Sequence, residues 1–289
     1  MMGFRKPYIL LKELGLTSGE QLVISEKCRD SEDFRVMEDS LSQVIYLDWD
    51  KKDHFINYEK TRESNYSFYY EDFINSEERI KELLPLIGSK KVLDFGCGNG
   101  TFIKKLSEII GKNRCLAIEK SLSIRKNLTQ YGIEINTNFE NIKEEVSAIF
   151  SFHVLEHLDK PEDFLKQAYS ILSRTKGRLI IEVPHANDAL IRLYKCEEFK
   201  KFTFWSQHLI LHTCESLERL CKFSGFNNVS IILKQRYPLS NHLYWINKGL
   251  PGGHKTNLSL LDNENLNDQY SKSLIRQGFS DSLLAICET

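Results

Sequence analysis

The chain has 289 residues, 41% apolar and 27% charged, with a formal net charge of −1 and seven cysteines that form no C-x-x-C pair. That length supports one large α/β domain with additions, or two smaller domains, each able to bury a core. The totals exclude a broadly basic nucleic-acid surface, a run of the roughly 18 apolar residues that cross a membrane, and a disulfide framework or zinc ribbon.

In chain order, residues 1–75 form an N-terminal extension in which "FRVMEDSLSQVIYLDWD" predicts two short strands about a polar turn, followed by the aromatic-rich "NYSFYYEDF". "SEERIKELLPLIG" predicts a helix capped by Ser76 and stopped near Pro85 and Gly88. Strand and helix then alternate, the pattern of a parallel sheet covered by helices. "KVLDF", "CLAIE", "IEIN", "VSAIFSF", "GRLIIEV", "NVSIILKQ" and "SLLAICE" read as strands. "GTFIKKLSEII", "SLSIRKNLTQYG", "KPEDFLKQAYSIL" and "ESLERLCKFSGF" read as the helices between them. The prediction is thus an α/β chain with a Rossmann-like, doubly wound sheet over residues 76–289, interrupted by an insertion at 236–281 that is too long for a structureless loop.

"KKVLDFGCGNGTF" places Gly96, Gly98 and Gly100 around Cys97 and Asn99 directly after a strand. Such a cluster implies positive φ or a ligand against bare main chain. The dinucleotide pattern G-x-G-x-x-G fails, because its third glycine position holds Thr101. Asp94, two residues before Gly96, would repel a pyrophosphate but suits an ammonium group. Glu119, at the end of the next strand, stands where an acid accepts hydrogen bonds from a ribose. Together they point to a nucleoside that carries an amino acid.

The sequence here resembles the class I S-adenosylmethionine-dependent methyltransferases, in particular their small-molecule (sugar and ubiquinone-type) branch. The resemblance rests on "VLDFGCGNG" (92–100), Glu119, "SFHVLEHLDKPEDFL" (151–165) and "GRLIIEVPH" (177–185). It implies a seven-stranded sheet whose last strand is antiparallel, with S-adenosyl-L-methionine across the strand ends. It also implies that Asp94, Gly96, Cys97, Gly98, Gly100, Glu119 and His153 contact the cofactor, with Asn138 and Phe139 at its adenine. Methyl transfer needs an aligned nucleophile, and a hydroxyl nucleophile needs a base, so His153, His185 and His208 are the candidate catalytic residues. "WSQHLILHTCESL" resembles a stretch of sugar methyltransferases, which puts Trp205 on the acceptor side with His208. Arg236, Tyr237, His242, Tyr244 and Trp245 form a predicted substrate surface whose aromatics suit a sugar ring and whose cation suits the phosphate of a nucleotide-linked sugar. His208 and His212, four apart, admit a metal reading, but spacing places no third ligand and no metal is expected.

The expected activity is therefore O-methylation of a sugar hydroxyl in surface polysaccharide biosynthesis by a cytoplasmic enzyme. No nucleic acid partner is expected, and a homodimer stays open. A non-catalytic partner of the same fold and a nicotinamide-dependent oxidoreductase are the alternatives.

Overall fold

The computed structural model describes residues 5–49 and 69–289. The N-terminal extension builds a sheet of its own. β1 (Gln21–Ser25), β2 (Phe34–Asp39) and β3 (Ile45–Trp49) form an antiparallel meander, so the extension holds one strand more than the periodicity predicts. β1 was not legible because its burial does not alternate: Leu22 and Val23 are both exposed. The turn between β2 and β3 is held by Asp39, whose buried carboxylate accepts N–H bonds from Leu41 (3.0 Å) and Ser42 (2.7 Å). Part of the aromatic-rich stretch from Asn65 lies outside the described residues.

The helix Tyr69–Leu83 begins before Ser76, which is 2% exposed inside it and is no cap. From its end run β4 (Lys91–Phe95), β5 (Cys115–Ile118), β6 (Glu134–Asn136), β7 (Val146–Phe152) and β8 (Arg178–Pro184). β9 (Ile210–Leu211) leaves this body to pair with β3 and complete the four-stranded sheet. β10 (Asn228–Lys234) and β11 (Ser282–Glu288) return to the large sheet, whose order is β10-β11-β8-β7-β4-β5-β6. β4 pairs in parallel with β5 on one side and β7 on the other, while β11 is antiparallel to both β8 and β10. The order reverses between β4 and β7, which creates a crevice at their carboxyl ends.

Alternation along the strands splits the core over two faces. Leu93, Leu116 and Ile149 pack with Phe164 and Leu165 on one side, and Val92, Ala117 and Phe150 with Phe102, Ile103 and Leu106 on the other. Burying those last three side chains of the helix Thr101–Ile110 stabilises its docking by about 2 kcal/mol each. Residues 236–281 are folded: the helix Leu239–Lys248, two short turns and the helix Glu264–Arg276 join β10 to β11. Among the described residues no helix is long and apolar enough to cross a membrane.

Candidate active site

The loop after β4 has φ of +70° at Gly96, +56° at Gly98 and +78° at Gly100, conformations that side chains resist. The protein's own packing explains two of these glycines. A Cβ on Gly96 would lie 2.6 Å from Val154 Cγ2, and one on Gly100 would run into Leu128 Cδ2. Val154 thereby brings the loop after β7 against the loop after β4, across the crevice.

The two acids behave differently. Glu119 clamps the loop: its Oε2 accepts the Gly98 N–H (3.1 Å), and its Oε1 accepts those of Lys120 (2.8 Å) and Ser121 (3.0 Å). Asp94 is 3% exposed, and no side chain or main-chain group among the described residues hydrogen-bonds its carboxylate. Burial pushes Asp94 up to about 7, with Arg79 pulling it down and Glu119 adding to the rise. A buried carboxylate left short of donors beside a glycine loop fits the ammonium of an amino-acid-bearing ligand, so the residues present suit S-adenosylmethionine.

The other members of the predicted cofactor set differ in exposure. Phe139 is a core residue, 6% exposed and stacked on Phe95 with centroids 5.0 Å apart, because the apolar ring gains more from the Phe95–Phe164 cluster than from an open wall. Asn138 is exposed one residue before the short turn Phe139–Asn141, and Cys97 is half-buried in the loop.

His153, just past β7, has φ of +55°, a strained conformation for a non-glycine residue that its N–H bond to the Glu182 carbonyl (2.8 Å) helps to hold. Its Nε2 lies 3.0 Å from Glu182 Oε1 and 2.8 Å from Arg236 Nη1, so it donates to the one or accepts from the other, depending on tautomer. Glu182 in turn is gripped by Arg79, through Nε to Oε2 (3.0 Å) and Nη2 to Oε1 (2.6 Å). Burial opposes the charge of Glu182, but Arg79 and His153 hold the carboxyl well below its usual range. Arg79 and Glu182 escaped the sequence reading. A lone acid in the apolar run "GRLIIEVPH" was the available signal for Glu182; nothing local marks Arg79.

Arg236 does not stand open to a phosphate. Its Nε donates to Asp281 Oδ1 (3.1 Å), its backbone N–H and that of Tyr237 bond Asp281 Oδ2, and Glu182 lies 3.7 Å away. Two carboxylates already neutralise it, a correction to its predicted role. The rest of the predicted substrate surface is also largely interior. Trp245 is 3% exposed against Phe199 and Phe202, and His242 is 1% exposed with Nδ1 2.5 Å from the Tyr270 hydroxyl. Tyr237 and Tyr244 are half-buried. The amphipathic helix Leu239–Lys248 turns His242 and Trp245 inward, a phase set by what the helix packs against. His185 is 2% exposed and bonded through Nδ1 to the Ser280 carbonyl (3.1 Å); burial pushes it down to about 4, a neutral interior residue rather than a base at the crevice.

A second cluster joins the turn Leu155–His157 to the segment before β9. His157 Nδ1 meets the Gln207 carbonyl at 2.7 Å, and His208 Nδ1 the Thr203 carbonyl at 3.0 Å, with the rings 5.1 Å apart. Trp205 stands edge-on to both, at 6.0 Å and 5.5 Å, and carries Arg29 over its face at 5.0 Å. Burial pushes His208 down to about 4. Glu156 is 1% exposed, and neither of its carboxylate oxygens accepts a hydrogen bond. His153 Nδ1 at 3.6 Å and His157 Nε2 at 3.7 Å stand beyond hydrogen-bond range of its Oε1. Burial raises the cost of the Glu156 charge, yet His157 and His153 hold its carboxyl at about 2.

The profile of the family described as "Methyltransferase domain" matches residues 69–231, more than half of the chain. Among solved structures, a SAM-dependent methyltransferase from Archaeoglobus fulgidus superposes with a TM-score of 0.51 at 16% identity, covering 78% of this chain and 100% of its own. A chain from the complex of the Haloferax volcanii Trm112 methyltransferase activator with a methyltransferase scores 0.50 at 12% identity, covering 76% of this chain and 92% of its own. At those identities the likeness is one of fold. A comparison with curated sequences gives no significant match.

Proposed function

The chain belongs to the methyltransferase-domain family with S-adenosylmethionine as cofactor, and from that premise we propose that it methylates a hydroxyl of a small polar acceptor, a sugar or nucleotide-linked sugar, with His153 as the base. The observation that carries this reading is the Arg79–Glu182–His153 chain of contacts at the mouth of the crevice, one residue from the Val154 side chain that lies against the cofactor loop. When bound, S-adenosylmethionine supplies an electrophilic methyl group on a sulfonium.

Asp94 would hold the ammonium end of the ligand, and the glycine loop, braced by Glu119, would bind its amino-acid portion. In the tautomer in which His153 Nε2–H donates to Glu182, Arg236 Nη1, which can only donate, gives up its contact with that nitrogen, and Nδ1 carries the lone pair that accepts the hydroxyl proton. Arg79 keeps Glu182 ionised, so the charge of the imidazolium that forms is compensated within 3.0 Å. With the cofactor bound, the deprotonated acceptor oxygen would take the methyl group in line and S-adenosylhomocysteine would leave with the sulfur's electron pair; His153 is the residue of this chain that would hold the released proton. Half-buried Trp205, with Arg29 over its ring, is the aromatic of the second cluster that would meet a sugar ring, so the proposed acceptor side lies toward residues 205–208 rather than at the helix Leu239–Lys248. A site in a surface-polysaccharide pathway, inside the cytoplasm, is consistent with this chemistry.

The test is a transfer assay with isotopically labelled methyl donor against free and nucleotide-linked sugars. His153→Asn should lower kcat by about 100-fold or more, the size of a lost general base, with the dissociation constant of S-adenosylhomocysteine unchanged. Transfer unaffected by His153→Asn removes the base from the mechanism, and transfer to an amine but to no sugar removes the acceptor class.

A further inference from the structure

We propose that Glu156, His157 and His208 bind a divalent transition-metal cation of the zinc class at the acceptor side of the crevice. The proposal rests on the methyltransferase reading for its purpose but not for its geometry. One ligand atom from each residue lies within 4.8 Å of the others, and Glu156 Oε1 is 3.7 Å from His157 Nε2. Two ligands on one tetrahedral ion with bonds of about 2.1 Å stand about 3.4 Å apart, so small side-chain rotations close the set.

The tautomers are already chosen. The Gln207 and Thr203 carbonyls can only accept, so Nδ1 carries the proton in each imidazole and Nε2 carries the lone pair. Metal-binding histidines are oriented by such bonds from the nitrogen opposite the metal. The same two carbonyls prevent the rings from flipping without loss of a hydrogen bond.

Independent of that arrangement is the state of Glu156. A carboxylate 1% exposed and without a hydrogen bond on either oxygen carries a desolvation cost that nothing in the main chain relieves. A cation held by Glu156 and two imidazoles supplies the missing partner. Two nitrogens and one oxygen suit zinc, cobalt or nickel ions better than magnesium or calcium, which prefer all-oxygen sets. Three protein ligands leave a coordination position for an exchangeable group, as in catalytic rather than structural sites.

His212, the partner that four-residue spacing suggests for His208, is not in the set: its Nδ1 is held by Ser216 Oγ at 3.0 Å in the cap of the helix Cys214–Phe223. Glu156 also lies 3.6 Å from His153 Nδ1. A cation held by Glu156 would therefore lie on the side of the proposed base, where it would lower the pKa of a bound acceptor hydroxyl whose proton His153 would take.

The test uses the full chain, stripped with a chelator and titrated with cobalt(II) chloride, read by visible absorption and by calorimetry. The proposal expects one equivalent to bind with the intense ligand-field bands of a four- or five-coordinate nitrogen–oxygen site. It expects Glu156→Gln, close in shape to the native residue, to weaken binding at least about tenfold. S-adenosylhomocysteine titrated into the same samples reports the fold and separates the two hypotheses. Retained cofactor binding without stoichiometric cobalt, or equal cobalt affinity in Glu156→Gln, overturns the metal site and leaves the methyltransferase reading standing. Stoichiometric cobalt that Glu156→Gln abolishes, in a protein that fails to bind S-adenosylhomocysteine, supports the metal site and removes its purpose in methyl transfer.

Discussion

Breaking the buried pair Arg79–Glu182 should be among the most damaging polar changes in this protein. The two side chains are 13% and 2% exposed and meet through two hydrogen bonds of 2.6 and 3.0 Å. At the effective dielectric constant of about 20 that describes protein sites, opposite charges about 4 Å apart attract by about 4 kcal/mol. Removing one partner leaves the other charged and desolvated, which costs about 3–5 kcal/mol. Glu182→Gln and Arg79→Met should each lower the urea-unfolding free energy by that amount. Glu182 also faces His153 and Arg236, so a single substitution overstates the pair. The double variant isolates it: Arg79→Met with Glu182→Gln should lose at least about 2 kcal/mol less than the sum of the two single losses. Urea titrations followed by circular dichroism on the four proteins give the coupling directly, and repetition at high salt should change it little because the pair is shielded from solvent. Additivity within about 0.5 kcal/mol would show that the two charges do not depend on one another, and the argument that Arg79 keeps Glu182 ionised for His153 would fail with it.

Gly100→Ala should cost about 2–4 kcal/mol, from left-handed strain and from the Cβ driven against fully buried Leu128. Gly278→Ala shares the strain at φ +80° but has nothing within 4 Å, so its cost should be lower by about 1–3 kcal/mol; equal unfolding free energies would refute the packing argument. Trp245→Ala should lower stability by about 3–5 kcal/mol while acceptor KM and cofactor affinity hold, whereas a raised KM at unchanged stability would return Trp245 to the substrate surface. Burial pushes His242 down to about 4, below its unfolded value, so its contribution is full above about pH 6.5 and is lost as pH falls toward about 4. His242→Gln should flatten the fall in unfolding free energy by about 1.4 kcal/mol per pH unit across that window, and parallel profiles for the two proteins would show that His242 is not buried neutral.

The large sheet could be read from residue pattern alone. Apolar runs alternating with amphipathic stretches leave one economical arrangement, and three glycines after "KVLDF" mark a turn, so β4 to β8, β10 and β11 were legible together with the loop, whereas the main-chain partners of Glu119 were not. These are local signals: strand period, helix stripe, turn chemistry. Tertiary structure alone decided what depends on distance between segments far apart in the chain. It paired β9 with β3, which ties the N-terminal sheet to the segment carrying Trp205 and His208. It set Arg79 against Glu182 and Asp281 against Arg236, so that a cation read as a phosphate contact proves to be spoken for by two acids. It turned Trp245 and His242 inward, because which face of a helix is buried depends on what the helix packs against. Glu156 and His157 were visible as neighbours in "VLEHL", but only folding brings His208 to them across fifty residues, since coordination and catalysis require atoms a few ångströms apart and one-dimensional spacing measures no such distance.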